Sequence, residues 1–209
     1  MPPTAADSPG EAKLGRAMNG KANTEKLLER ELVFAGRLLV LQKDKVKLAG
    51  GHVTHREVVR HPGAVAIAPV DAAGNLVLVR QYRYPVDEEL LEVPAGKLEK
   101  GEEPLATAHR ELAEETGLVA LYMQPVAVFF TTPGFCDERM HLFLATGLRQ
   151  APEADIHPDA DEAIKVERIP LGEAVEMCAD GRIRDAKTMA AVFLVRGALG
   201  DAPAMGTGE

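Results

Sequence analysis

The chain has 209 residues, 46% hydrophobic and 27% charged, which is enough for one ordinary globular domain with a sizeable core. A formal net charge of −8 leaves no electrostatic footprint for duplex nucleic acid, so any phosphate group that the chain binds must be met locally. Cys136 and Cys178 lack C-x-x-C spacing, which argues against a disulfide framework or zinc site and fits a reducing cytoplasm. No apolar run approaches the roughly 20 residues that span a bilayer, and the first residues, with Asp7 and Glu11, lack a signal peptide's basic start. Neither nucleic acid nor membrane is an expected partner.

In chain order, residues 1–23 are rich in Pro, Ala, Gly and charge without periodicity and are expected to be a disordered extension. Residues 24–199 form the expected folded domain, and residues 200–209 a flexible tail. Residues 31–47 and 51–61 alternate enough for strands, and 64–70 and 76–79 are short apolar strands joined by a turn over 71–75 that contains Gly74. Further strands are expected at 90–93, 126–130, 140–145 and 163–168, with helices at 104–116, 171–179 and 186–198. This irregular order predicts an α+β domain with a mixed sheet and packed helices, preceded by N-terminal antiparallel strands over 24–61, and not a doubly wound fold.

Residues 96–118, GKLEKGEEPLATAHRELAEETGL, carry the chemistry. Pro104 suits a first helical turn, Glu102 and Glu103 favour its N-terminus, and Gly117 suits the left-handed position after the last turn. At 100° per residue, Leu105, Ala108, Leu112 and Thr116 share one side, while Glu111, Glu114 and Glu115 gather within an arc of about 100° beside it. Glu111 and Glu115 are one turn apart and should destabilise the bare helix by roughly 0.2–0.5 kcal/mol. A divalent cation reverses the sign of that interaction, and Mg²⁺ prefers such hard oxygen ligands together with waters and phosphate oxygens. An isolated E-x-x-E-E reads as a solvated acidic face; here more residues agree.

The stretch matches G-x5-E-x7-R-E-U-x-E-E-x-G-U at Gly96, Glu102, Arg110, Glu111, Leu112, Glu114, Glu115, Gly117 and Leu118, and so resembles the Nudix hydrolase family. The resemblance implies a Nudix-type α/β/α sandwich and hydrolysis of a nucleoside diphosphate linked to another moiety. It also implies that Glu111 and Glu115 are the main ligands of Mg²⁺, or of Mn²⁺ or another divalent ion in its place, with Glu114 auxiliary. Arg110 would be structural, pairing with a carboxylate such as Glu102.

Outside that box, three segments resemble the ADP-ribose pyrophosphatase subgroup. Arg80-Gln81-Tyr82-Arg83-Tyr84 precedes Leu91-Glu92-Val93-Pro94-Ala95-Gly96; the resemblance puts the Ala95 carbonyl on the metal, and Arg83 and Glu92 in substrate binding, Arg83 facing the phosphates. Pro133, within Thr132-Pro133-Gly134-Phe135, matches the subgroup's marker proline, so Pro133, Gly134 and Phe135 are expected at the substrate; an ordinary turn, with Phe135 as a buried anchor, is the alternative. Glu162, in Asp161-Glu162-Ala163-Ile164, matches a glutamate that reaches over bound substrate; it is the first candidate for the base that handles the attacking water, with Glu114 the runner-up and Asp159 or Asp161 in its place another option. The leading expectation is a homodimeric enzyme that converts a small nucleotide, ADP-ribose, to AMP and ribose 5-phosphate, with the 24–61 strands as dimerisation element. A hydrolase of another nucleotide sugar such as GDP-mannose, or a non-catalytic nucleotide sensor, are the alternatives; intact Glu111, Glu114 and Glu115 argue against the sensor.

Overall fold

A computed structural model describes residues 24–152 and 164–200. The expected extension (1–23), the acidic stretch with Glu162 (153–163) and the tail after Gly200 lie outside the described residues. Three antiparallel strands come first: β1 (Lys26–Ala35), β2 (Val40–Lys47) and β3 (Val53–Arg60). The 31–47 segment is therefore a hairpin and not one strand, closed where the Gly36 amide donates to the Leu39 carbonyl at 2.9 Å. Next come β4 (Ala64–Pro69), β5 (Asn75–Arg83), β6 (Glu88–Glu92) and β7 (Ala95–Lys97). Helix α1 (Pro104–Thr116) is followed by β8 (Leu118–Phe130), β9 (Arg139–Gln150), β10 (Lys165–Pro170), α2 (Leu171–Asp180) and α3 (Ala186–Leu199).

Strand periodicity explains the layers. Side chains alternate across a strand, so a strand covered on both faces must be apolar throughout, and every residue of β4 is buried. Val65 and Ile67 pack with Val77, Ala108, Leu112 and Phe143 in a core under α1. Ala64, Ala66 and Ala68 pack with Leu78, Leu142, Ala174, Ala191 and Val192 in a second core under α2 and α3. The result is an α/β/α sandwich of α+β class. Its sheet is mixed: β7, β4, β9 and β8 pair in that order with β4 and β9 parallel, and β10, β5 and β6 form an antiparallel sheet beside them. The 71–75 turn forms as expected, with Asp71 Oδ1 accepting from the amides of Ala73 and Asn75 and Gly74 at φ 80°.

Strands β5, β8 and β9 run longer than periodicity suggested. β8 begins at Leu118, well ahead of the 126–130 run, because Pro125 interrupts the pattern without ending the strand. β8 is the edge of its sheet and shifts register between Pro125 and Ala127, which is where a strand tolerates a residue lacking an N–H. On α1 the buried face comprises Thr107, Ala108, Leu112 and Ala113, whereas Leu105, expected on it, remains 47% exposed. The middle turns set the buried face by packing on the sheet; the first turn does not.

The N-terminal sheet is tied to the domain through β3. The Val59 amide donates to the Phe135 carbonyl at 2.8 Å, the Asp137 amide to the Val59 carbonyl at 3.2 Å, and Arg60 pairs with Asp137 at 2.9 Å. Every residue of β1 is exposed, Leu27, Leu28, Leu32, Val33 and Phe34 included, and among the described residues β1 pairs only with β2.

If α1 is held as these cores indicate, Leu112→Ala should cost about 2–5 kcal/mol of stability. Leu105→Ala should stay within about 0.5–1 kcal/mol. Denaturant melts of the two variants measure both, and similar losses for the pair would be incompatible with the packing described.

Candidate metal and substrate site

The acidic helix is set by its ends and by one arginine. Pro104 opens α1, and Gly117 closes it at φ 67°, its amide donating to the Ala113 carbonyl at 2.9 Å. Glu102, just before the helix, turns to Arg110: Nε and Nη2 donate to its two carboxylate oxygens, each at 3.1 Å. Arg110 Nη1 lies 2.8 Å from carboxylate oxygens of both Glu111 and Glu114. The Glu102 hydrogen bonds outweigh burial and, with the Glu111 charge and the hydrogen bonds to Glu114 and Glu111, raise the guanidinium's pKa further above its ordinary value. Arg110 thus pairs with Glu102, as the resemblance implied, and with two members of the ridge as well.

Glu115 is held from the strand side, where its Oε2 accepts the Ala95 amide at 3.1 Å. A Cβ on the neighbouring Gly96 would sit 1.9 Å from the Glu111 carboxyl group, so only glycine lets the 95–97 strand approach the helix this closely.

These groups wall a cavity of about 850 Å³ whose lining includes Arg83, Ala95, Gly96, Lys97, Arg110, Glu111, Glu114 and Glu115. A smaller cavity of about 290 Å³ shares Arg83, Ala95, Gly96 and Lys97 and adds His61, Glu138, Asp185 and Lys187. Among the described residues, no three His, Cys, Asp or Glu side chains already converge as a metal-holding group. The donor chemistry nevertheless fits a hard divalent ion, since three carboxylates line one cavity and a cation, Arg110, bridges two of them.

Other expected residues fall differently. Arg83 lines both cavities and grips Glu92 with two bonds of 2.8 Å. Glu92, expected at the substrate, is only 1% exposed and lines neither cavity; it holds Arg83 from behind, with Lys187 as a second cation. Burial pushes the Glu92 carboxyl up, but the Arg83 hydrogen bonds and the Lys187 charge outweigh it and hold the group below the usual carboxylate range. Pro133, Gly134 and Phe135 also line neither cavity of this chain. Their turn also carries structural contacts: the Thr132 carbonyl accepts the amides of Phe135 and Cys136, and the Phe135 carbonyl accepts the Val59 amide of β3. The Phe135 ring is 55% exposed and is no buried anchor.

Sequence reasoning missed Asp185, Lys187 and Thr188. Thr188 Oγ1 accepts the buried Val93 amide at 2.9 Å and donates to Asp185, while Lys187 pairs with Glu92 and, at 3.1 Å, with Asp185. Asp185 is the N-cap of α3, accepting the Thr188 amide at 2.9 Å, and that cap was the available signal.

Residues 59–192 match the NUDIX domain profile, and the chain belongs to the NUDIX family. It is 44% identical over 173 residues to the methanol dehydrogenase activator of Bacillus methanolicus, covering 83% of this chain and 93% of that protein. It is 41% identical over 172 residues to the ADP-ribose pyrophosphatase of Bacillus subtilis (strain 168), covering 82% and 92% respectively. The fold is similar to a solved structure described as "Crystal structure of ADP compounds hydrolase", with TM-score 0.74 and 24% identity over 84% of this chain and 94% of that one.

The contact between Gly96 and Glu111 gives a direct check. Gly96→Ala must displace the Glu111 carboxylate, so divalent-ion affinity in calorimetric titration should fall about tenfold or more. The melting temperature should drop only modestly, and parental metal affinity in this variant would remove Glu111 from the site.

Proposed function

We propose that this protein is a Mg²⁺-dependent ADP-ribose hydrolase: water adds to a phosphorus of the diphosphate and the bridging bond breaks, giving AMP and ribose 5-phosphate. The observation that carries the proposal is one cavity that sets Glu111, Glu114 and Glu115 against Arg83. A diphosphate held with a divalent ion would ask for that division, with carboxylates to hold the cation and a guanidinium for phosphate oxygens. The Bacillus subtilis relative's name supports ADP-ribose as the substrate. When bound, a divalent ion neutralises diphosphate charge and acidifies water.

The chain's own residues do the rest. Glu111 and Glu115 are the principal ligands, with the Ala95 carbonyl beside them and Glu114 auxiliary. Arg83 orients the diphosphate, and Arg110 offsets the mutual repulsion of the carboxylates it pairs with, Glu111 and Glu114. Glu162 is the first candidate for the base, and Ile164, two residues later, lines the larger cavity. Two free cysteines suit a reducing cytoplasm, and no described helix is long and apolar enough to cross a membrane. The exposed apolar residues of β1 support a homodimer built on the N-terminal sheet.

Incubation with Mg²⁺ and a panel of nucleoside diphosphate derivatives should release AMP from ADP-ribose faster than GMP from GDP-mannose; the reverse order would defeat the substrate assignment. Glu115→Gln should lower turnover by about 10³-fold or more while the melt is preserved, because one charge is lost with little change of shape. Glu162→Gln should lower kcat by about 10²–10⁴-fold with Mg²⁺ affinity unchanged. A near-parental Glu162→Gln beside an inactive Glu114→Gln would pass the role to Glu114. Light scattering should give a dimer, and a fully active monomer at assay concentration would reject that assembly.

A further inference from the structure

Lys187 stands where helix electrostatics disfavours it. It is the second residue of α3, at the end that carries the helix dipole's partial positive charge, and no acidic residue lies in the first helical turn beyond the Asp185 cap. Its ammonium is nevertheless well covered, with 13% of the side chain exposed, and lies against two carboxylates, Glu92 and Asp185. Glu92 in turn is gripped by both oxygens in the fork of Arg83. Arg83 and Lys187 therefore share one buried carboxylate from opposite ends of the sequence, and both line the smaller cavity, beside the metal ridge.

We propose that Lys187 is a positioning residue for substrate binding: by sharing Glu92 with Arg83 and balancing Asp185, it leaves the Arg83 guanidinium charge for the substrate's phosphates. The proposal rests on the assignment of Arg83 to the diphosphate made above. The charge count is simple. Arg83 and Lys187 against Glu92 and Asp185 sum to zero, whereas loss of Lys187 leaves the quartet at −1, on a wall that must receive a diphosphate. Arg83 would then face both Glu92 and Asp185 as the quartet's single cation, since Asp185 also acts on it electrostatically. Thr188, which ties α3 to the Val93 amide, keeps the Lys187 backbone in register with Glu92.

The test compares Lys187→Met, Lys187→Arg, Asp185→Asn and the Lys187→Met/Asp185→Asn double variant of the full chain with the parent, at saturating Mg²⁺, by ADP-ribose kinetics and thermal melts. Lys187→Met should raise KM about tenfold or more with kcat within about threefold, the signature of lost uniform binding. Lys187→Arg should stay within about threefold of the parent. Asp185→Asn keeps an oxygen for the Thr188 cap and makes the quartet positive, so its KM should be unchanged or lower. The double variant restores neutrality and should regain most of the lost affinity, which a purely structural lysine would not allow. A parental KM in Lys187→Met, no recovery in the double variant, or a raised KM in Asp185→Asn would each overturn the proposal; the last applies even if Lys187→Met does not fold. A parent enzyme inert toward ADP-ribose would overturn the substrate assignment itself, a failure visible before any variant is compared.

Discussion

Glu111, Glu114 and Glu115 crowd two turns of one short helix, and like charges at that spacing cost about 0.2–0.5 kcal/mol per pair even where water screens them. Here they face a cavity, where screening is weaker, so their surroundings must supply positive partners without consuming every carboxylate oxygen. Arg110 does this from within the helix, touching Glu111 and Glu114 while Glu102 holds its other edge. The Ala95 amide does it from the sheet, and the absence of a side chain at Gly96 permits the approach. One side chain, one N–H group and one missing Cβ thus help to order the ridge.

That arrangement depends on the sandwich. β7, which offers Ala95 and Gly96, is a short strand paired to β4, and β4 is also the floor on which α1 packs. Helix and strand are brought together because both rest on the same apolar strand. On the opposite layer, α3 reaches back with Thr188 and Lys187 to the Glu92–Val93 segment immediately before β7. Two helices on opposite faces therefore control one short segment of backbone, which carries the acidic side of the cavity on one hand and the Arg83 side on the other.

The local parts of this design were legible in the sequence. Pro104 and Gly117 bracket α1 at its observed ends, and Asp71 with Gly74 marks the hairpin, because caps and turns are governed by neighbouring residues. The acidic ridge was legible for the same reason, since helical periodicity alone brings its members together. Contacts between distant segments were not. The three-residue β7 is too short to show periodicity, and Pro125 masks a strand that only its edge position permits. Glu92 resembled a substrate contact and proves to be buried, because its partner Lys187 lies on α3, at the far end of the domain sequence. The turn at Pro133 is expected at the substrate or as an ordinary turn, and spacing does not show that its backbone docks β3. What tertiary packing assigns cannot be read from spacing.

The parallel pairing of β4 with β9 has a further consequence, for the order in which the protein can be made. Ala64 lies opposite Met140 and Pro69 opposite Ala145, so β4 acquires its second neighbour only after the chain through β9 has left the ribosome. Until then one edge of an entirely apolar strand is bare, with Val65 and Ile67 on one face and small alanines on the other. Such an edge is a template for pairing with other chains, and long-range parallel pairing is slow to form. The strand that supports the acidic helix is thus also one at which a stalled or truncated chain is prone to pair with its neighbours.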